Sequence, residues 1–256
     1  MFFSDSPLDP SSPPRTTKNP STQPPPSGGG GLRRGGDFLR GVGFQAHEVA
    51  DYERKRYRGL DQRLVNAREM RILKKLLSMC SPEAASEPVR ALDAPCGYGR
   101  FAGLLGEAGY IVFAADLSVA MVERARTHVA VPTHPIGTVA NLTQGLPFQP
   151  GSFSLVFSMR FFHHLHESPA RRAALAEFAR ASRKWLIVSY YQANPLHLLQ
   201  RAVRRKILRK KTRIKMITGR EFREEAASSG FEVVRVVPLF RGLHAQHIAL
   251  LRKEEL

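Results

Sequence analysis

The stretch that decides the fold reads Ala91-Leu92-Asp93-Ala94-Pro95-Cys96-Gly97-Tyr98-Gly99-Arg100-Phe101. A short apolar run with strand character enters a turn with two glycines, and a helical pattern follows the turn. Glycine lets the backbone approach a ligand closely and leaves N–H groups free to meet it. The stretch is typical of sites for nucleotide-like cofactors, although tight turns in unrelated folds use the same residues.

A carboxylate farther along the chain strengthens this interpretation. Asp116 lies seventeen residues beyond Gly99, at the end of the next predicted strand. A carboxylate in that place can accept hydrogen bonds from both hydroxyls of a ribose. We therefore predict that the glycine turn and Asp116 converge on one adenosyl ligand.

From Pro88 onward, short apolar runs alternate with helical windows. The predicted strands are Val89–Ala94, Tyr110–Ala115, Ile136–Ala140, Phe153–Met159, Trp185–Tyr191, Phe231–Pro238 and Ala245–Leu251. The helical windows are 99–108, 118–128, 169–183 and 218–229. This alternation predicts an α/β fold with a doubly wound, mostly parallel seven-stranded sheet and helices on both faces. The connection Leu239–His244 is too short for a crossover helix, so the last strand should be antiparallel.

The chain divides into a tail and one domain by composition. Residues 1–40 are rich in Pro, Gly and Ser and are predicted to be disordered, with a proline-rich docking site as the alternative. Residues 41–256 are predicted to form the cofactor-binding domain. Within it, 46–79 has the pattern of N-terminal amphipathic helices, and 195–217 that of a basic, lid-like insertion.

The composition indicates which partners and which cellular compartment suit the protein. The formal net charge of +17 favours polyanionic neighbours. Cys80 and Cys96 are too few for a disulfide framework, which fits a reducing compartment. Neither a secretory signal pattern nor an apolar stretch of membrane-spanning length is present, so we predict no transmembrane segment. The expected location is cytoplasmic, with peripheral membrane association as an option.

Further motifs follow the glycine turn in a recognisable order. They are Asp116-Leu117-Ser118-Val119-Ala120-Met121, Asn141-Leu142-Thr143-Gln144-Gly145-Leu146-Pro147-Phe148 and Phe161-Phe162-His163-His164-Leu165. With the turn, they resemble the class I S-adenosylmethionine-dependent methyltransferases, in particular those of the small-molecule type. The resemblance runs from Val89 to the C-terminus. It is specific for the superfamily and uninformative about the substrate.

The resemblance implies that S-adenosyl-L-methionine is the cofactor and that the protein is a methyltransferase. The implied cofactor-binding residues are Asp93, Pro95, Gly97, Gly99, Asp116, Leu117, Asn141, Leu142 and Ser158. Asp93 and the glycines would surround the methionine part, and Asp116 would hold the ribose. Asn141 would face the adenine amino group, with the backbone amide of Leu142 near the ring.

Three departures from the family pattern keep other interpretations open. Pro95 stands where the first glycine is usual and removes one backbone donor. Asn141 and Ser154 replace aspartates, although an Asn oxygen can still accept a hydrogen bond. A catalytically inert cofactor-binding interaction module is therefore an alternative. A nicotinamide-binding domain is another, but Gly103 misses its usual spacing by one residue.

The candidate catalytic residues are His164, His163 and Arg160, which follow the fourth predicted strand. An imidazole can take a proton from a hydroxyl or phenol near neutral pH, and an arginine can meet a carboxylate. Tyr190 and Tyr191, at the end of the fifth strand, are the candidate substrate residues. Packing or surface roles compete for all five. No metal is predicted, because the histidines lack a partner carboxylate cluster.

The basic insertion suggests three uses. Nine Lys or Arg residues lie between Arg201 and Lys215. Such a segment suits an anionic lipid or membrane surface (through 195–215), RNA phosphates, or a solvated lid over the acceptor. We predict a small-molecule acceptor, lipid-like or quinone-like, and keep an RNA methyltransferase as the alternative.

Overall fold

The computed structural model describes residues 59–80, 88–128, 134–193, 215–242 and 244–254. The predicted tail, the part of the N-terminal helical segment before residue 59 and most of the basic insertion lie outside these residues. Within the described residues, no helix has both the length and the apolar character needed to cross a membrane.

Five helices and seven strands make up the described part of the domain. The helices are α1 (Leu60–Met79), α2 (Ala102–Glu107), α3 (Val119–His128), α4 (Ser168–Ala181) and α5 (Gly219–Ala227). The strands are β1 (Arg90–Asp93), β2 (Ile111–Asp116), β3 (Ile136–Val139), β4 (Phe153–Ser158), β5 (Ser182–Tyr191), β6 (Phe231–Pro238) and β7 (Gln246–Lys253). A short 3₁₀ turn, Phe162–His164, follows β4.

The strands form one sheet in the order β3-β2-β1-β4-β5-β7-β6. Strands β1 to β5 pair in parallel, whereas β7 is antiparallel to both of its neighbours. The predicted fold class is therefore confirmed. The insertion of β7 between β5 and β6 was not predicted. Its physical basis is burial, because β7 has the buried run Ile248–Leu251, whereas in β6 only Phe231 is buried, as suits an edge strand.

Apolar side chains cover both faces of the sheet. On one face, Leu92, Val156 and Leu186 pack with Phe178 of α4 and Phe222 of α5. On the other face, the core residues include Leu73 and Leu76 of α1, Leu105 of α2, Phe157 of β4 and Ile187 of β5. Helices on both faces leave the carboxyl ends of β1, β2, β4 and β5 at one shared edge.

A buried ion pair joins α4 to α5 beneath this edge. Arg171 is 1% exposed, and its Nη2 lies 2.6 Å from Oε1 of Glu225. The Nη1 of Arg171 also donates to the carbonyl oxygens of Leu165 and His166, at 3.1 and 3.2 Å. The pair therefore supports the loop that follows the 3₁₀ turn.

We expect Glu225→Gln to destabilise the fold by about 3 kcal/mol, because it leaves the charge of Arg171 buried and under-compensated. The free energy of unfolding in urea measures this loss. Glu224→Gln on the same helix is the matched control, since Glu224 pairs with the exposed Arg220 and its loss should change stability little. Equal losses in the two variants would contradict the assignment of this stability to the buried pair.

Candidate active site

The turn after β1 has backbone geometry that favours glycine. Gly97 has φ 51° and Gly99 has φ 84°. A Cβ added at Gly99 would lie 2.7 Å from Cα of Ala125 in α3, whereas a Cβ at Gly97 would have no described atom within 4 Å. Gly99 is thus required for the packing of α3. Gly97 instead borders open space, as the backbone of a ligand cradle would.

Asp116 meets the glycine turn directly. Its Oδ2 accepts a hydrogen bond from Gly97 N at 3.0 Å, and its Oδ1 accepts one from Ser118 N at 3.0 Å. Burial raises the pKa of Asp116 above its ordinary value, although these backbone hydrogen bonds act in the opposite direction. The turn and the carboxylate that the sequence pairs are therefore in contact, and Leu117 follows them, half-buried.

A second carboxylate lies beneath the turn. Asp93 is 1% exposed, and neither of its oxygens makes a hydrogen bond to a described residue. Burial, and then the negative charge of Asp116, raise the pKa of Asp93 well above its usual range. A buried carboxylate without a hydrogen-bond partner costs free energy unless a bound ligand supplies that partner. A cofactor that carries an ammonium and a sulfonium fits this position.

Between the two carboxylates, Cys96 is a packing residue. Its side chain is buried against Ala114, Val122 and Ala125, and its Sγ donates to Gly97 O at 3.3 Å. Burial, with the charges of Asp93 and Asp116, raises the pKa of the Cys96 thiol well above its ordinary value. The thiol therefore stays protonated and does not act as a nucleophile. The preceding Ala94–Pro95 peptide bond is cis.

The loop after β3 holds the residues that the resemblance assigns to adenine. The Oδ1 of Asn141 accepts hydrogen bonds from Thr143 N at 3.1 Å and Thr143 Oγ1 at 2.9 Å. Both acceptor positions of that oxygen are thus used within its own turn, which is not what the resemblance implies for an adenine amino group. The side chain of the adjacent Leu142 is buried.

Arg180 of α4 fixes the same loop from outside. Its guanidinium donates to Phe148 O at 2.6 Å and to Leu146 O at 2.8 Å. Glu177 completes the contact by accepting from Leu146 N at 2.9 Å and pairing with Arg180 at 2.8 Å. This clamp was not predicted from the sequence. It holds the loop against the sheet edge whatever the side chain of Asn141 binds.

The end of β4 lies beside the end of β1, since Asp93 pairs with Phe157. Ser158 is fully buried there, and its Oγ has no hydrogen-bond partner among the described residues. Two residues later, Arg160 adopts a left-handed backbone with φ 60°. Arg160 N donates to Ser189 Oγ at 2.7 Å. Such a backbone in a residue with a side chain is uncommon and marks sites under functional constraint.

The guanidinium of Arg160 contacts a carboxylate that the sequence analysis did not single out. Its Nη2 lies 2.9 Å from Oε2 of Glu69, a fully buried residue of α1. The same Oε2 lies 2.6 Å from Nη2 of Arg100, just beyond the glycine turn. The loop after β4 and the turn after β1 are therefore joined through one side chain.

Imidazole and phenol rings gather beyond β4 and β5. The ring centroids of His163 and His164 are 4.1 Å apart, and those of His163 and Tyr191 are 4.7 Å apart. His244, which no motif indicated, lies 6.2 Å from Tyr191. His163 is buried, whereas His164 is exposed. We name these four residues the ring cluster.

Tyr190 does not belong to the ring cluster. It is 1% exposed and stacks on Phe222 of α5 at 4.0 Å between centroids. Its hydroxyl donates to Gln192 Oε1 at 2.8 Å, and burial raises the pKa of Tyr190 to about 12. Successive residues of a strand face opposite sides, so Tyr190 packs in the core while Tyr191 lies at the ring cluster. The substrate role of Tyr190 stays a prediction.

The chain is similar to known methyltransferases in sequence over one segment and in fold. Residues 92–185 match the family model of a methyltransferase domain. Among curated proteins, none matches the sequence. The magnesium protoporphyrin IX methyltransferase of Synechocystis PCC 6803, solved with bound S-adenosylhomocysteine, is 18% identical with a TM-score of 0.66. The alignment covers 80% of this chain and 94% of that one.

Two further solved structures share the fold. A possible histamine N-methyltransferase from Thermotoga maritima is 18% identical, with a TM-score of 0.56 and coverage of 82% of this chain and 97% of that one. An S-adenosylmethionine-dependent methyltransferase from Mesorhizobium loti is 19% identical, with a TM-score of 0.53 and coverage of 70% and 96%. The family model and the fold support an enzyme of the class I S-adenosylmethionine-dependent methyltransferase superfamily. The resemblance and its cofactor, S-adenosyl-L-methionine, are thereby confirmed.

The two turn glycines should respond differently to alanine. We expect Gly97→Ala to fold with a loss of about 1 kcal/mol, because only its positive φ opposes a side chain, but to bind S-adenosylmethionine poorly. Gly99→Ala should lose far more stability, since its Cβ would overlap α3. Thermal unfolding and calorimetric titration measure the two effects. Normal cofactor binding by Gly97→Ala would show that the cradle is elsewhere.

We expect Asp93→Asn to raise the stability of the protein and to lower its affinity for the cofactor. Because the pKa of Asp93 is raised, the folded protein keeps its proton, whereas the unfolded chain releases it from about pH 4 upward. The free energy of unfolding therefore falls as the pH rises. Asp93→Asn should therefore be more stable than the native protein near neutral pH, with no advantage near about pH 4. Its affinity for S-adenosylmethionine should fall, because the cationic groups lose their partner.

Melting temperature against pH and calorimetric titration test this prediction. A variant that is less stable at every pH and binds the cofactor normally would assign Asp93 a packing role only.

Proposed function

We propose that this methyltransferase modifies a small-molecule acceptor bound at the carboxyl edge of β4 and β5, next to the ring cluster. The observation that carries the proposal is the contact of Glu69 with both Arg100 and Arg160. Through it, the loop after β4, which continues to His163 and His164, is joined to the glycine turn. An acceptor at the ring cluster would thus be next to the cofactor.

Residues of the glycine turn and its surroundings would hold the cofactor. Asp93 would meet its cationic part, Gly97 would allow its close approach, and Asp116 would accept from the ribose hydroxyls. When bound, S-adenosylmethionine supplies a methyl group that is already activated on a sulfonium. The chain then has to orient the acceptor, exclude water and receive any proton that the acceptor loses.

His164 is the residue placed to take a proton from a hydroxyl or phenol acceptor. It is exposed at the edge, and its ring lies against that of the buried His163. The backbone oxygen of His163 accepts from Lys215 N at 3.0 Å, which holds the 3₁₀ turn in place. His163 would orient the base and Tyr191 would bind the acceptor. Nitrogen or carbon acceptors are compatible with the same edge, since a base is then optional.

Both ends of the basic insertion return to this edge. Ala193 N donates to Ile217 O at 2.8 Å, and Ile217 N donates to Tyr191 O at 3.0 Å. Ala193 and Lys215, which flank the part of the insertion outside the described residues, therefore both lie near the ring cluster. This anchoring supports the proposal that the insertion acts as a lid over the acceptor. The Lys and Arg residues of the insertion support an acceptor that is lipid-like or quinone-like.

The small-molecule class has support from the similar structures too. Two of them are named for magnesium protoporphyrin IX and for histamine, which are both small molecules. Methylation of RNA through residues 201–215 remains the alternative, as does binding at a membrane surface. All of the range except Lys215 lies outside the residues that the structure describes.

Methyl-labelled S-adenosylmethionine separates these acceptors. The protein is incubated with polar small-molecule, lipid and RNA fractions of cells that lack it, after calorimetry has established cofactor binding. We expect label in a small-molecule or lipid fraction and S-adenosylhomocysteine in equal amount. Label in RNA would overturn the proposal. Binding without transfer to any fraction would favour an inert interaction module.

Removal of the proposed base gives a kinetic prediction. His164→Ala should lower kcat for a hydroxyl acceptor roughly 10² to 10⁴-fold and leave cofactor affinity unchanged. His166→Ala is the matched control, because His166 is exposed two residues farther along the same loop. Initial rates against pH check the role, since the native rate should fall as the base is protonated at acid pH. Equal kcat values for the two variants would exclude a base at His164.

A further inference from the structure

Glu69 is a buried carboxylate at a junction of three elements. Its side chain is fully buried in α1. Oε2 lies 2.6 Å from Nη2 of Arg100 and 2.9 Å from Nη2 of Arg160. Oε1 accepts from Nε2 of Gln246 at 2.7 Å, and from Nε of Arg160 at 3.4 Å. The turn after β1, the loop after β4 and the start of β7 thus meet on one carboxylate.

This carboxylate is charged in the folded protein. Burial alone would raise the pKa of Glu69, but the charges of Arg100 and Arg160 and their hydrogen bonds bring it below its ordinary value. A buried ion pair of this kind adds little stability over apolar packing, because desolvation opposes the Coulomb attraction. The ion pairs instead fix orientation, because both guanidinium groups have to point toward the carboxylate of Glu69.

Arg100 and Arg160 occupy the two halves of the site. Arg100 follows Gly99 directly, so the direction of its side chain constrains the glycine turn. Arg100 also donates to Asn66 Oδ1 of α1. Arg160 carries the left-handed backbone, which persists only where its surroundings hold it. Ser189 Oγ holds its N–H and Glu69 holds its guanidinium.

Gln246 extends the junction toward the ring cluster. It is 1% exposed, and its backbone N donates to Nδ1 of His244 at 3.0 Å. His244 in turn lies beside Tyr191. A shift of Glu69 would therefore reach the acceptor side through Gln246 as well as through Arg160.

We propose that Glu69 is a positioning residue of the methyltransferase, which sets the turn of the cofactor site through Arg100 and the acceptor loop through Arg160. The inference rests on the proposed function. Glu69 touches neither substrate nor cofactor in this role. It acts by holding groups of both half-sites in one fixed relation.

The test compares two buried carboxylates that differ in place. Glu69→Gln and Glu225→Gln each remove one buried charge from an ion pair without changing side-chain size, and the Arg171–Glu225 pair lies on the opposite face of the sheet from α1. Calorimetric titration with S-adenosylmethionine and with S-adenosylhomocysteine is done at low temperature, where circular dichroism verifies that each protein is folded. Melting temperatures are recorded in parallel.

We expect both variants to melt at lower temperature, but only Glu69→Gln to lose cofactor affinity, by about tenfold or more. Glu225→Gln should bind within about twofold of the native protein. If Glu69→Gln also binds within about twofold, its role is stability alone and the proposal is overturned. A native protein that binds neither compound would instead refute the proposed function, which separates the two failures.

Arg160→Gly tests the same idea if Glu69→Gln does not fold. Glycine accepts the left-handed backbone without strain, so this variant removes the Arg160 side chain with its guanidinium and adds no backbone strain. The proposal expects a loss of cofactor affinity comparable with that of Glu69→Gln. Native affinity in a folded Arg160→Gly would overturn it.

Discussion

The hydrogen bond from Gly97 N to Asp116 Oδ2 is the contact on which the site depends. It ties the turn after β1 to the end of β2, so that two carboxylates, Asp93 and Asp116, come close together at one sheet edge. Their mutual repulsion and burial make this edge a poor place for negative charge without a ligand. A cationic ligand removes that penalty. The two carboxylates therefore suit S-adenosylmethionine locally, although the net charge of the chain is +17.

Two buried ion pairs, one on each face of the sheet, stabilise this edge. On one face of the sheet, Arg171 with Glu225 supports the loop after the 3₁₀ turn. On the other, Glu69 of α1 holds Arg100 and Arg160. The left-handed backbone at Arg160 is then maintained from both β5 and α1. A transfer enzyme gains from such rigidity, because the reacting atoms have to be aligned before the reaction starts.

The proposed acceptor side of the edge differs in chemistry from the side with the glycine turn. Carboxylates and glycines surround the turn, whereas imidazole and phenol rings surround the ends of β4 and β5. The rings can accept a proton and stack on a planar or apolar acceptor. The described residues that flank the basic insertion contact this cluster, since Lys215 N donates to His163 O and Ile217 N donates to Tyr191 O.

The sequence by itself determined the fold class, the strand pattern and the position of the glycine turn and Asp116 at the ends of neighbouring strands. Those features depend on local periodicity and on backbone conformations that single residues permit. Strand alternation also places Tyr190 and Tyr191 on opposite faces of the sheet. Helix α4 ends at Ala181 and β5 starts at Ser182, earlier than the pattern indicated.

Only the tertiary structure decided the position of β7, the use of the Asn141 oxygen by Thr143, and the partners of Glu69. Glu69 lies 91 residues from Arg160 and 177 from Gln246, so no local pattern links them. Such contacts form because packing of the whole chain buries these charges together, where each is compensated by groups distant in the sequence.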